Sequence, residues 1–388
     1  MPISEKLLQE IKQKIFIGNF LDLSEQALKD EDVIKLAEVL KNNPKIEKIN
    51  LSYNDIGDNG VKAISEVDTI NELDFHNGLD GYGECYNHIT YVGAKALANS
   101  SLKKLNIDGN LIGDDGIKFL SSNKTIVNLS AEDCGVSAEG AAALFKDNTA
   151  LIKLNLKANN IEDNGLSTIA SNHTLRELDL SDCKITPVGA KFIEDNDSLS
   201  RLQLSGNKIS RGFCFLAKHS SLEFLGLNRC EISDSDLVGS NINNTLKELS
   251  LRYNKITSKG IEVLSTNFTL TSLHLGNNDI YFDEKTLMGL LSMKSLTVFT
   301  GEDNKVNDSI RQTIEELCKP SSVKLLDLSI HKGTQDTVFI TYSFRENSKT
   351  NKRKAAKLAD LQKVKDKLLN ITNQDPNASK KQNTGYTP

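Results

Sequence analysis

Residues 246–267 read LKELSLRYNKITSKGIEVLSTN, and most of the chain consists of variants of this stretch. Leu246, Leu249, Leu251 and Ile256 are apolar pegs. Asn254 stands between the last two, and Gly260 and Leu264 follow in a segment that reads as a short helix. The alternation at Leu249 and Leu251 marks a strand with one face turned inward, and the segment after it marks a helical return. A unit this short cannot bury its own apolar stripe, so it is stable only when stacked on neighbours with the same pegs.

Those neighbours are present. The first peg recurs at Ile46, Ile70, Leu102, Ile126, Leu151, Leu175, Leu199, Leu222, Leu246, Leu270, Leu296 and Val323, most often 24 residues apart. The one large departure is the interval of 32 between Ile70 and Leu102. Leu73 and Phe75 are pegs there, but the Asn-x-Ile that should follow waits until Asn87 and Ile89, so HNGLDGYGECY overfills the turn. Insertions of this kind often map to a binding face.

A chain of 388 residues, 38% hydrophobic, would ordinarily suggest more than one domain, but the repeat predicts one lengthening coil instead. The pattern LxxLxLxxNxI resembles that of leucine-rich repeats. It implies an α/β right-handed solenoid, a horseshoe arc with parallel strands on the concave face and short helices on the convex face. Residues 1–45 read as the N-terminal cap, with Ile3, Leu7, Leu8 and Ile11 on one helical face, a first strand within 16–23 and a first full helix at 33–40. The solenoid is expected over 46–344. Residues 337–344, TVFITYSF, alternate and are β-branched and aromatic, which predicts an antiparallel closing strand over the open sheet edge.

Residues 345–388 carry eleven basic and four acidic side chains, a net +7, which leaves −12 on the body of a chain whose total is −5. Leu358, Leu361, Val364 and Leu368 recur at helical spacing, so 350–370 is a candidate amphipathic helix, followed by a polar, disordered end.

The ninth position of each unit leaves the strand and must satisfy backbone groups in a buried turn. Asn54, Asn87, Asn110, Asn159, Asn207, Asn254, Asn278 and Asn304 fill it, and Cys134, Cys183 and Cys230 take the slots between. The alternation of Asn and Cys from Asn110 to Asn254 resembles the ribonuclease-inhibitor-like class of leucine-rich repeats, which implies structural thiols rather than catalytic ones. Gly93-Ala94-Lys95-Ala96-Leu97, Gly140-Ala141-Ala142-Ala143-Leu144 and Gly189-Ala190-Lys191 resemble the short GALA-type repeats. Small residues there are expected to let helix approach sheet closely. The GALA-type resemblance implies a bacterial, Legionella-type effector delivered into a host cell.

Nothing in the sequence matches a nucleophile elbow, P-loop, dinucleotide fingerprint or HExxH, so no enzymatic activity and no catalytic residue is expected. His76, Asp80, Glu84, Cys85 and His88 have the ligand types for a metal, but their spacing fits no zinc pattern. Neither a metal nor a cofactor is expected. The N-terminus shows no uninterrupted apolar h-region, no run approaches a membrane span, and six cysteines without framework spacing fit a reducing cytoplasm.

The function expected is a non-enzymatic scaffold for a protein partner, a monomer that grips through the concave face and the second-repeat loop. Outward strand positions place Asp74, Asp108, Glu132, Asp133, Asp179 and Asp182 toward one end, and Arg201, Phe224, Arg229, Arg252 and Tyr253 toward the other. Arginine beside aromatics is typical of interface anchors. Tyr82, Tyr86 and Tyr91 cluster on or beside the inserted loop in a chain that is only 6% aromatic, which makes them contact candidates too. Two alternatives stand beside this reading. One is a regulator of a small GTPase, since GTPase-activating leucine-rich-repeat proteins share the fold. The other is an adaptor recruited to a membrane surface by the basic tail. A pI of about 5.8 and a tail with Tyr386 as its single aromatic disfavour nucleic acid.

Overall fold

The computed structural model describes residues 18–77, 86–240, 242–293 and 295–306, together with three strands at Leu326–Ser329, Thr337–Val338 and Thr341–Phe344. The chain divides into two compact units, residues 1–226 and 227–388. The expected helix at the start of the N-terminal cap, the inserted loop at 78–85 and the whole basic tail lie outside the described residues.

Unit 1 contains nine strands of three residues each: β1 Phe20–Asp22, β2 Lys48–Asn50, β3 Glu72–Asp74, β4 Lys104–Asn106, β5 Asn128–Ser130, β6 Lys153–Asn155, β7 Glu177–Asp179, β8 Arg201–Gln203 and β9 Phe224–Gly226. Each pairs in parallel with the next, in chain order. The register puts the central apolar residues in line, from Leu21 through Leu73, Leu129 and Leu178 to Leu225, and all of them are buried. A strand of three residues therefore has one inward peg flanked by two outward side chains, as period-two geometry requires.

The returns run through helices such as α1 Asp30–Lys41, α2 Asp58–Ser65, α3 Tyr91–Leu97, α4 Gly113–Ser121, α5 Ala138–Asp147 and α6 Pro187–Glu194, and in one repeat through two 3-10 turns, Asn164–Leu166 and Ile169–Ser171. Several are capped from the preceding repeat. Asp58 at the start of α2 accepts from the backbone N–H of Thr90 (2.9 Å), from its hydroxyl (2.6 Å) and from the N–H of Gly93 (2.9 Å). Asp163 does the same for Thr186 (2.8 and 2.6 Å) and Gly189 (2.9 Å). These bonds satisfy orphan donors at a helix N-terminus, where a carboxylate is also favoured by the helix dipole. This corrects the sequence reading of the recurrent glycines. A Cβ on Gly93, Gly140 or Gly189 would collide with the carboxylate of Asp58, Asp114 or Asp163, so these glycines make room for a side chain of the preceding repeat.

In unit 2, β10 Glu248–Ser250, β11 Ser272–His274 and β13 Val298–Thr300 continue the parallel pattern. A second small sheet holds β12 Tyr281–Phe282, β14 Asn304–Val306 and β16 Thr337–Val338. β17 Thr341–Phe344 runs antiparallel to β13, and β15 Leu326–Ser329 pairs antiparallel with its other side. Leu326 and Leu328, read from the sequence as pegs of a last repeat, thus belong to an outer strand of a hairpin-like closure and not to another parallel rung. No described helix is long and apolar enough to cross a membrane.

Candidate partner-binding surface

The turns beside the strands are closed to chemistry. In unit 1, Asn159 donates to the carbonyls of Ala131 (2.8 Å) and Leu156 (2.9 Å), and its oxygen accepts from the N–H groups of Cys134 (3.0 Å) and Val136 (2.9 Å). Asn54, Asn110 and Asn207 donate in the same way to the carbonyls of their own and the preceding repeat. Cys134 and Cys183 fill alternate slots with a thiol aimed at the carbonyl of Ile107 (3.2 Å) or Leu156 (3.1 Å). Burial pushes the Cys134 thiol up and the Cys183 thiol up to about 12, so neither offers a thiolate. In unit 2, Cys230 is buried and accepts Asn254 at its backbone N–H (3.0 Å), while Asn278 and Asn304 both donate to Leu275 (3.0 and 2.8 Å).

A second ladder, on the other side of the strands, has no counterpart in the sequence reading. Asn148, Asn172 and Asn196 each donate to the asparagine carbonyl one repeat back, at 3.3, 3.2 and 2.8 Å, and each oxygen caps the N–H groups of the next two or three residues. The signal was available: NKTI, NTAL, NHTL and NDSL run directly into the first pegs Ile126, Leu151, Leu175 and Leu199. The next copy reads HSSL and puts a buried His219 in the slot. Burial pulls its pKa down to about 4, against an opposing bond to the Ile193 backbone.

The insertion is pinched at its neck. Asn77 accepts from the backbone N–H of Asn87 (2.9 Å) and donates to its carbonyl (3.0 Å), so Asn87 reaches its ladder slot and bonds Leu51 and Phe75 (both 3.0 Å). Of the three expected tyrosines, Tyr82 lies outside the described residues, Tyr86 is half-buried, and Tyr91 opens α3 with half its surface exposed. Tyr53, which sequence reasoning passed over, meets the His76 ring edge-on at 4.8 Å. His76 is bonded to Asp74 (2.8 Å), which raises its pKa, and His88 to Asp55 (3.0 Å). Asp80, Glu84 and Cys85 of the metal reading lie outside the described residues, and among the described residues no group of His, Cys, Asp and Glu is arranged to hold a metal.

The outward strand positions of unit 1 sort into paired and unpaired charges. Lys48 and Lys104 both reach Glu72 (3.2 and 3.4 Å), Lys153 reaches Glu177 (2.8 Å), and Lys157, just beyond β6, reaches Glu132 (2.8 Å). Asp108 accepts from the Ser130 hydroxyl and the Glu132 N–H (both 2.7 Å), while burial raises its carboxyl pKa. Asp179 accepts from the Ser181 N–H (2.8 Å). Asp133 and Asp182 stay exposed on left-handed turn residues, φ 50° and 55°. The acidic end expected from the sequence is thus largely neutralised from within.

Arg201 behaves differently. It is exposed, and its guanidinium carbon sits 4.1 Å from the centroid of the Phe224 ring, with no carboxylate partner among the described residues. Phe224, expected as an outward contact, is only 7% exposed because Arg201 covers it. In unit 2, Arg229 lies 4.7 Å from the ring of Tyr253, which is 48% exposed. Arg252 is ion-paired with Glu302, and Gly276 leaves the room Glu302 needs. His274 shares bonds with Thr300 (2.9 Å) and Ser272 (3.0 Å), and burial lowers its pKa.

A family model described as "Leucine Rich repeat" matches residues 42–65, 98–121, 147–170, 171–193, 243–265 and 266–280. No curated protein matches the chain. Among solved structures, the chain is similar to an internalin, InlF, from Listeria monocytogenes, at 20% identity over 76% of this chain and 88% of that one, with a TM-score of 0.45. It is also similar to Rad7 in a complex with Elc1 in yeast, at 17% identity over 76% and 89% with a TM-score of 0.43. A further likeness is to TLR13 in a complex with ssRNA13, at 19% identity over 74% and 53% with a TM-score of 0.43. Likeness at this distance carries no functional argument. The repeat match at six places, on coils whose strands and turn ladders recur with it, makes this chain a leucine-rich-repeat protein.

Proposed function

We propose that the chain is a non-enzymatic scaffold that holds a protein partner on the outward side chains of its strands, with the second-repeat loop as an additional contact. The observation that carries this reading is the contrast between closed turns and open strands. Buried asparagines and thiols bond to backbone inside the turns, whereas Arg201, Arg229 and Tyr253 stand outward without such a role. Arginine and tyrosine are the residue types that most often dominate binding energy at protein interfaces. The ladder thiols of Cys134 and Cys183 fit a reducing cytoplasm. With the GALA-type resemblance, they fit a bacterial effector that meets its partner in a host cytosol.

The test is cross-linking mass spectrometry of the full chain in host-cell lysate. Cross-links to one partner are expected from Lys48, Lys104 and Lys153 on the strands of unit 1. Cross-links confined to Lys62, Lys95 and Lys191, which lie on α2, α3 and α6, would overturn the reading.

A further inference from the structure

We infer that the Arg201–Phe224 stack of unit 1 anchors a carboxylate of the protein partner, and that the depression beside it takes an apolar side chain neighbouring that carboxylate. The inference rests on the scaffold reading above and names what the unit 1 strand face recognises.

Three observations lead to it. First, the lysines of this face are already neutralised. Lys48, Lys104, Lys153 and Lys157 each meet a glutamate of a neighbouring repeat within 3.4 Å. The carboxylates nearest to Arg201 are engaged as well, Glu177 by Lys153 (2.8 Å) and Asp179 by the Ser181 N–H (2.8 Å). Arg201 therefore keeps a full charge for which this face supplies no counterion.

Second, the guanidinium is held by its flat side. Stacking on Phe224 at 4.1 Å uses the face of the group and leaves its in-plane N–H donors free. Those donors match a carboxylate with two parallel bonds, a geometry a lysine cannot offer. A side chain already laid on a buried ring also loses less freedom when a ligand arrives.

Third, Arg201 and Phe224 border a depression of about 280 Å³ whose other lining residues include Leu154, Leu178, Leu202 and Gln203. Gly226 adds to the packing at its end, since a Cβ there would collide with the Gln203 amide. Partly apolar walls beside a guanidinium edge suit a segment in which an acidic residue adjoins an aliphatic one.

The experiment is fluorescence anisotropy on the full chain with short labelled peptides that alternate leucine with glutamate, leucine with glutamine, serine with glutamate, or leucine with phosphoserine. The leucine–glutamate peptide is expected to bind best. Arg201→Gln should weaken it by about tenfold or more, and Arg201→Lys should fail to restore it. Lys48→Gln, which removes an equal charge already bridged to Glu72, should change it by less than about twofold. The basic tail is the same in all these variants, so charge attraction to it cancels in the comparison.

Equal binding by wild type and Arg201→Gln overturns the anchor, and so does a loss in Lys48→Gln as large as in Arg201→Gln. Equal binding of the glutamine peptide removes the carboxylate. An Arg201-dependent preference for phosphoserine replaces the carboxylate with phosphate, and equal binding of the serine–glutamate peptide removes the apolar pocket. Strand-face cross-links in lysate that persist in Arg201→Gln would leave the scaffold standing while this anchor fails. Their absence from the wild type defeats the scaffold itself.

Discussion

Asn159 and Lys153 belong to the same repeat of unit 1, are comparably polar, and hold opposite positions. Asn159 is buried and bonds four backbone groups from two repeats. Lys153 is exposed and meets one glutamate across the sheet. Burial separates them: an unpaired polar group costs about 1–3 kcal/mol inside a protein and almost nothing in water. The turn system is therefore bound to the fold, while the strand face can be rewritten by one residue at a time without endangering it.

The contrast is broken most severely at the ladder. Asn159→Leu strands the carbonyls of Ala131 and Leu156 and the N–H groups of Cys134 and Val136, and should cost about 3–4 kcal/mol in urea unfolding. A loss below about 1 kcal/mol would show that water or a shifted turn replaces the amide.

His219 sharpens the comparison by placing a titratable ring in the second ladder. Its folded pKa, near 4, lies below the ordinary 6.5, so the unfolded chain binds the proton first. Its contribution is intact above about pH 6.5 and is lost as pH falls toward 4, by on the order of 2 kcal/mol. His219→Asn, the residue of the neighbouring repeats, should flatten the stability of the chain over that window. An unchanged pH profile would place the acid sensitivity elsewhere.

A smaller effect is expected where the two repeats meet at a helix start. Gly189→Ala must displace the Asp163 carboxylate from Thr186 and Gly189, for a loss of about 1–2 kcal/mol. Adding Asp163→Ala to the same chain should cost little more, because both changes break the same bonds. Simple addition of the two losses would refute the assigned role of the glycine.

Least of all is expected on the strand face. Lys153→Gln should move the unfolding midpoint by no more than about 0.5 kcal/mol, since its bridge to Glu177 is exposed. A larger loss would mean that the face is part of the fold's stability and is not free for a partner.

Much of this was legible in the residues, and the remainder was hidden for identifiable reasons. The pegs and the Asn/Cys slot repeat along the sequence, and inward positions of a stacked coil have to repeat. The recurrent glycines were visible, but their cause was not, because the carboxylate that needs the space belongs to the preceding repeat. The N-x-[ST]-L copies of the second ladder were equally visible and went unread, since short polar runs before an apolar peg look like ordinary loops. Among contact candidates, the sequence grouped Arg201 with Phe224 but could not tell that one lies on the other.

The sequence by itself determined that the chain stacks strand-and-helix coils and which side chains turn inward, because an amphipathic unit of this length has no other way to bury its pegs. Only the tertiary structure decided which outward charges find partners: Lys48 and Lys153 meet glutamates of the next repeat, while Arg201 lies on Phe224 instead. It also decided that β17 and β15 close the sheet of unit 2 antiparallel. Pairing across repeats depends on register and reach between residues distant along the chain, and local pattern carries neither.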